Sequence, residues 1–367
     1  MPRARALGVP FEGKPGSLNA ITDVAGVEVG CVTLNEGDGE LVVGQGPIRT
    51  GVTAILPRSK ADADTPVFAG GYSHNGNGEM TGMAWVEESG LLEGPILITN
   101  THSVGAVHAA VIKWAVEAGG MKQPWLLPVV AETYDGFLND INGFHIKEQH
   151  VFAALSGAAS GPVAEGNVGG GTGMGLYGFK GGTGTASRQL EEEYGAYSVG
   201  VLVQANFGER EDLMVAGVPV GREMTDLLPA FGIQGQPPMS SEYGSVIAVV
   251  ATDAPLLPHQ LKRLARRVSM GLARTGGIAE NGSGELFVAF STASLAATES
   301  NQVVAAQMLR NELMTPLFRA TVQATEEAVI NTLVATKDMT GQGGNTRYAL
   351  PHNRLQALLQ KYNRFTK

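Results

Sequence analysis

The chain predicts an α/β fold of the α+β kind, with β-sheets at the centre and helices packed outside them. Three observations predict it. Short runs rich in β-branched residues and bounded by Gly, Pro or Asn recur along the chain, the helical stretches are few and long, and the regular β-α-β-α alternation of a doubly wound parallel sheet is missing. No linker separates two cores, so the 367 residues read as a single domain, 1–367.

Element by element, strands are expected at GVEVGCVTL (26–34), GVTAILP (51–57) and GPILITN (94–100). A helix follows at 103–118, with Ser103 as its cap and Gly119-Gly120 behind its end. Further strands are expected at 125–133, 197–206, 245–253 and 284–292. In PHQLKRLARRVSMGLART (258–275), Leu261, Leu264, Ala265, Val268 and Leu272 share one face of a helix, and Lys262, Arg263, Arg266 and Arg267 fall to its solvated rim. A long helix over 315–336 takes Thr315 as cap and Pro316 at its first position. A short helix at 351–362 closes the chain.

Composition narrows the function. A net charge of −9 argues against a nucleic-acid partner, which wants a basic face. No run approaches the ~18 apolar residues of a membrane span, and the basic start MPRARALGVPFEGKPG has no apolar stretch behind it, so no secretory leader is expected. The single Cys31 can form no internal disulfide and reads as a small buried side chain; a reducing cytoplasm fits. Glycine is the outlier: 50 residues, roughly twice the usual share, dispersed among apolar runs. That pattern predicts tight turns and close backbone approaches in a folded chain.

The densest glycine stretch, GNVGGGTGMGLYGFKGGTGTAS (166–187), looks like a phosphate loop but lacks GxxxxGK[ST], since Lys180 is followed by Gly181-Gly182. Backbone crossing, or the lining of a narrow cleft, is expected there. The seven histidines offer no HExxH and no Cys/His cluster, so no metal is expected. A Ser-His-Asp triad lacks its GxSxG elbow.

What remains is Gly244-Ser245, a Gly-Ser pair between the loop-like run 232–244 and the apolar residues Val246 to Val250. One reading is a serine opening an edge strand. The other is a serine waiting to become an N-terminus. A serine hydroxyl is a weak nucleophile until a base takes its proton. Cleavage before Ser245 would create that base on the same residue, an α-amine with an ordinary pKa of about 8. Gly244, lacking a Cβ, tolerates a strained scissile bond.

The surroundings separate the two readings. GSVIAVVATDAPLLPHQLKRLARR, NGSGELFVAFSTA and TPLFRATVQATEEAVINTL, preceded by GVTAILPR, NGNGEMTG, GPILITNTHSVG, PVVAETYDGFLNDINGFHI and VGGGTGMGLYGFKGGTGTASR, resemble the β-peptidyl aminopeptidases. That family includes the L-aminopeptidase D-amidase/D-esterases. The resemblance runs in order from about residue 15 to 352. It implies a self-processing N-terminal-nucleophile serine hydrolase: an αββα-type sandwich whose connectivity differs from other N-terminal-nucleophile folds. It also implies cleavage into 1–244 and 245–367, a cofactor-free cytoplasmic enzyme, and a homotetramer of cleaved protomers.

By the same resemblance Ser245 matches the nucleophile, and Ser283 and Glu285 the pair that supports it. Asn206 and Tyr134 match the oxyanion donors, and Glu132 the carboxylate that binds a substrate's free amino group. The implied substrates are short peptides, amides or esters. Two other functions stand beside this one. An acyl transferase like the ornithine acetyltransferases would use threonine where this chain has Ser245, and an uncleaved chain would bind amino-terminal ligands without turnover. The loops at 61–66 and 232–244 are the expected sites of specificity.

Overall fold

A four-stranded and a six-stranded sheet stack face to face between layers of helix. The computed structural model describes residues 2–63, 65–118, 124–232, 244–293, 296–297 and 303–366. In chain order the strands of the two sheets are β1 (Glu28–Glu36), β2 (Ile48–Leu56), β3 (Val67–Gly76), β4 (Leu91–Leu92), β5 (Ile96–Asn100), β6 (Val129–Thr133), β7 (Gly182–Gln189), β8 (Ser198–Asn206), β9 (Ser245–Thr252) and β10 (Gly284–Ser291). The helices are α1 (Met83–Ser89), α2 (Val104–Ala118), α3 (Glu148–Ser156), α4 (Val220–Glu223), α5 (Pro258–Ala265), α6 (Val268–Arg274), α7 (Met314–Ala335) and α8 (His352–Lys361).

The smaller sheet has the order β1-β2-β5-β6 and the larger β4-β3-β10-β9-β8-β7. Within these sheets β5 and β6 pair parallel, as do β9 and β10, and the other neighbours are antiparallel. Three cores hold the layers together. Ile55, Ile96, Ile98 and Val129 of one sheet meet Val67, Leu202, Ile247, Val249 and Val288 of the other. The outer face of the small sheet (Val52, Leu56, Leu97, Val130) packs on Val107 and Val111 of α2 and on Val151 and Leu155 of α3. The outer face of the large sheet (Val201, Val203, Val246, Ala248, Phe287) packs on Leu261, Leu264, Leu272, Leu317 and Leu333 of α5, α6 and α7. Strands β8 and β9, buried along their whole length, read as continuous apolar runs because both their faces are covered.

Several boundaries differ from the sequence expectation. The strand expected at 125–133 starts only at Val129, after Pro128, which has no N–H to give a ladder. Asn100, not Ser103, caps the turn into α2: its side chain accepts from the Ser103 N–H at 3.0 Å. The long helix starts at Met314, so Thr315 lies inside it; Pro316 is still within the first turn, where a missing N–H costs nothing. The single helix expected over 258–275 breaks at Arg266–Arg267 into α5 and α6. Its apolar face is buried as expected, while Arg263 and Arg267 lie over the Phe318 ring. The expected loop at 232–244 falls largely outside the described residues.

Candidate active site

Four strand ends meet at one end of the sandwich. Strand β8 runs to Asn206, β9 begins at Ser245, β10 begins beside Ser283, and β6 of the opposite sheet carries Glu132 and leads into Tyr134. Register does the positioning: Ser245 lies opposite Asn206 on one side and Gly284 on the other, so it sits in a central strand. The edge-strand reading of Gly244-Ser245 therefore fails. Gln204 bonds across the sheets, its Nε2 donating to Thr99 O at 3.0 Å and Thr133 Oγ1 at 2.7 Å, and so ties the two sets of strand ends together.

Ser245 is 4% exposed. Its Oγ accepts from the Asn206 Nδ2 and from the backbone N–H of Tyr134, each at 3.4 Å. The contact from Tyr134 thus comes from the main chain. The amide of Asn206 can point only one way, because its Oδ1 accepts the Gly175 N–H at 2.8 Å; a backbone N–H needs an oxygen, which turns the NH2 to the serine. On the other flank, Ser283 donates to Glu285 in a very short hydrogen bond. Both side chains are buried. Burial pushes the Glu285 carboxyl up to about 7 against the pull of the Ser283 hydroxyl, and the charge of Glu280 adds to the rise. Glu285 Oε2 is buried without a hydrogen-bond partner of good geometry among the described residues; the neighbouring Asn75 carboxamide, which donates to the Glu280 carbonyl at 2.7 Å, opposes the rise.

The peptide before Ser245 is held as closely. The Gly244 carbonyl accepts the Gly284 N–H at 3.2 Å. A Cβ on residue 244 would stand 3.0 Å from Ser283 Oγ and 3.1 Å from the Phe207 Cα, so the smallest residue fits this crowded corner.

Glu132 shares a cavity of about 640 Å³ with Ser245, lined also by Gly76–Glu79, Thr101, Tyr134, Gly244 and Gly282. Its Oε1 accepts the Glu79 N–H at 3.0 Å, and its Oε2 accepts the Thr101 hydroxyl in a very short bond. Burial raises the Glu132 carboxyl above its ordinary range, and these two hydrogen bonds oppose the rise. An acid wall and a serine with two N–H donors therefore face one space.

All six expected residues thus stand around one site. Sequence reasoning missed Thr101, Gly175 and the Gly284 N–H. Thr101 lies in the quoted GPILITNTHSVG, but its role depends on a neighbour 31 residues away. The glycine stretch 166–187 is a backbone crossing: a Cβ on Gly182 would lie 2.2 Å from Gly166 O, and one on Gly184 2.2 Å from Ala328 O. Among the described residues no group of three or more His, Cys, Asp or Glu is placed to hold a metal ion. His145 is taken by Asp140 at 2.8 Å, and His352 by the Val334 carbonyl at 2.8 Å.

Comparison with known proteins matches residues 19–347 to peptidase family S58. The β-peptidyl aminopeptidase BapA of Sphingosinicella microcystinivorans is 55% identical over 99% of this chain and 93% of its own length. BapA of Sphingosinicella xenopeptidilytica is 50% identical over 98% and 91%. The L-aminopeptidase D-Ala-esterase/amidase of Ochrobactrum anthropi, described as a prototype for the serine aminopeptidases and a new variant of the Ntn hydrolase fold, superposes with a TM-score of 0.91. It is 47% identical, with 100% of both chains covered.

Proposed function

The chain belongs to peptidase family S58, and from that membership and the geometry above we propose that it is made as a precursor that cuts itself between Gly244 and Ser245. It is a serine aminopeptidase, a hydrolase of the Ntn type. The acyl-transferase and ligand-binder alternatives have no support from the relatives named above, which are aminopeptidases. The observation that carries the reading is Ser245 Oγ between two N–H donors in the cavity that also holds Glu132.

In the uncut chain Ser245 Oγ attacks the Gly244 carbonyl carbon, whose oxygen already accepts the Gly284 N–H. The C–N bond breaks, the acyl group moves to Oγ, and water hydrolyses that ester to leave a Gly244 carboxylate and a free Ser245 amine. The unpartnered Oε2 of Glu285 and the Ser283 hydroxyl beside Gly244 are the groups that receive the new ammonium.

In turnover the α-amine takes the Oγ proton and Oγ adds to the substrate's acyl carbon. Asn206 Nδ2 and the Tyr134 N–H hold the developing oxyanion, the kind of preorganised donation that accounts for ~3–4 kcal/mol per donor. The ammonium then protonates the leaving amine, and water, deprotonated by the same amine, releases the acyl group. Glu132 holds the substrate's ammonium, which is how an exopeptidase selects a chain end. The substrates are short peptides, amides or esters with a free N-terminus, β-residues included, as the names of the BapA relatives state for those proteins. The mature particle is a homotetramer of cut protomers in the cytoplasm. Among the described residues no helix is long and apolar enough to cross a membrane.

Intact mass of freshly purified protein, beside Ser245→Ala, tests the cut. Wild type yields fragments 1–244 and 245–367 and the variant stays whole. A single uncut wild-type chain would leave the serine without its base and end the self-processing reading.

A further inference from the structure

Lys180 is fully buried, and its amine forms no ion pair among the described residues, although the charge of the buried Asp135 acts on it from a distance. Its Nζ donates to two backbone carbonyls, Met174 O at 2.9 Å and Gly181 O at 2.7 Å. Burial lowers its pKa well below the ordinary lysine value. An amine this deep is costly, and a methionine or leucine would fill the same space without that penalty. Its carbonyl partners point to a purpose.

Lys180 lies in a small hairpin, Gly175–Leu176 against Phe179–Lys180, with Lys180 directly opposite Gly175. Tyr177 and Gly178 turn it with φ of 50° and 68°, the pair of left-handed residues that a tight hairpin turn requires. The hairpin is pinned beside the site by the Tyr177 N–H, which donates to Phe207 O at 2.8 Å, next to Asn206. Met174 O accepts a second donor, the Gly181 N–H at 2.9 Å. The carbonyl of Met174 and the N–H of Gly175 belong to one peptide unit, and that N–H is the donor to Asn206 Oδ1 at 2.8 Å. Asn206 Nδ2 in turn donates to Ser245 Oγ. A peptide whose oxygen is doubly engaged becomes a stronger N–H donor, and a carboxamide whose oxygen is engaged becomes a stronger donor through its nitrogen.

We propose that Lys180 is a positioning residue for the aminopeptidase reaction, acting on the Ser245 oxyanion site through the Met174–Gly175 peptide and the Asn206 carboxamide. The proposal rests on the role given to Asn206 above. It predicts an effect on the rate of acyl transfer and not on substrate capture, because Lys180 does not line the cavity that holds Glu132.

A double-mutant cycle on the full chain tests it, with self-cleavage, melting temperature, kcat and KM recorded for wild type, Lys180→Met, Asn206→Ala and the double variant on an aminoacyl p-nitroanilide. Lys180→Met is expected to stay folded and cut, to lose about tenfold in kcat with KM within about twofold, and to cost less than about twofold when Asn206 is already Ala. Should the methionine variant not fold, Lys180→Leu, which also fills much of the space without an N–H donor, enters the same cycle under the same criterion. An undiminished kcat in the single variant, or an equal loss with and without Asn206, overturns the relay. A wild type that neither cuts itself nor turns over would instead sink the aminopeptidase reading, so the two failures are told apart.

Discussion

Asn206 and Tyr134 reach Ser245 Oγ from different sheets, one by a side chain and one by the main chain, and this shapes what substitution can show. The Tyr134 N–H survives a change of its side chain, whereas Asn206 can be removed. Glu132 is the more informative residue for substrate choice. Each of its oxygens already accepts one protein donor, so the remaining lone pairs face the cavity for a substrate ammonium. Replacing it by Gln is expected to lower kcat/KM about ten- to a hundredfold, mostly through KM, on the usual contribution of a hydrogen bond to a charged group. In the role proposed for Glu132 the ionised carboxylate is the binding form, and burial raises its pKa, so kcat/KM is expected to fall as pH drops through a point above the ordinary glutamate range. A pH profile of kcat/KM checks this: the Ser245 amine, which must be neutral to take the Oγ proton, already gives an acid limb, and Glu132 is expected to steepen it at lower pH; a slope unchanged in Glu132→Gln would deny it that role.

At the scale of elements, the strand that sequence patterning missed is the most instructive. GTGTASRQ of β7 carries almost no apolar side chain, yet seven of its eight residues are buried. Helix α7 lies directly on it: a Cβ on Gly184 would come within 2.1 Å of Thr332 Oγ1 and 2.2 Å of Ala328 O. Small residues here serve close approach, the reverse of the large β-branched residues by which strands are usually recognised. Gly184→Val should therefore force α7 off the sheet and destabilise the protein by about 1–3 kcal/mol, as overpacking does. Thermal melting of that variant in the uncut Ser245→Ala chain measures the loss; an unchanged melting temperature would mean that the contact is looser than the geometry says. Strand β3 escaped notice for a related reason, since Gly70 and Gly71 interrupt its apolar run and its far end is polar. By contrast β8, β9 and β10 were legible because strands covered on both faces are apolar throughout.

Across the whole molecule the proposed cut falls in an unusual place. Strands β9 and β10 belong to the segment after Ser245, but they lie in the middle of the large sheet, between β3 and β8 of the segment before it. Helix α7 adds a second tie, because Glu327 bonds Arg5 and Arg188 at 2.8 Å each. The two fragments are therefore expected to co-elute as one particle after cleavage and to separate only in denaturant; their separation in native buffer would contradict this interlock. The uncut state also has a pH signature. Burial pushes both Glu285 and Asp135 up to about 7. A carboxyl whose folded pKa lies above its unfolded value contributes stability that is fully present below the unfolded pKa and is lost as pH rises through the folded one. Ser245→Ala should thus melt at a lower temperature as pH goes from about 5 to about 8, and adding Glu285→Gln should flatten that slope. Equal slopes in the two proteins would show that Glu285 is not the group titrating.

Local pattern in the sequence was enough to read central sheets with helices outside and the strands with two covered faces, while the sandwich, Ser245 as nucleophile and the five residues placed around it were legible only through ordered motifs that resemble a family. The sequence also ruled against a phosphate loop at 166–187, since a lysine followed by two glycines cannot complete one. It takes the folded chain to show that Ser245 opens a central strand, that Tyr134 contributes its main chain, that Gly175 orients Asn206, and that Lys180 stands behind Gly175. Each of those depends on hydrogen bonds between residues brought together by strand register and by a backbone crossing. Register and crossing are settled by packing across the whole chain, and no window of sequence contains them.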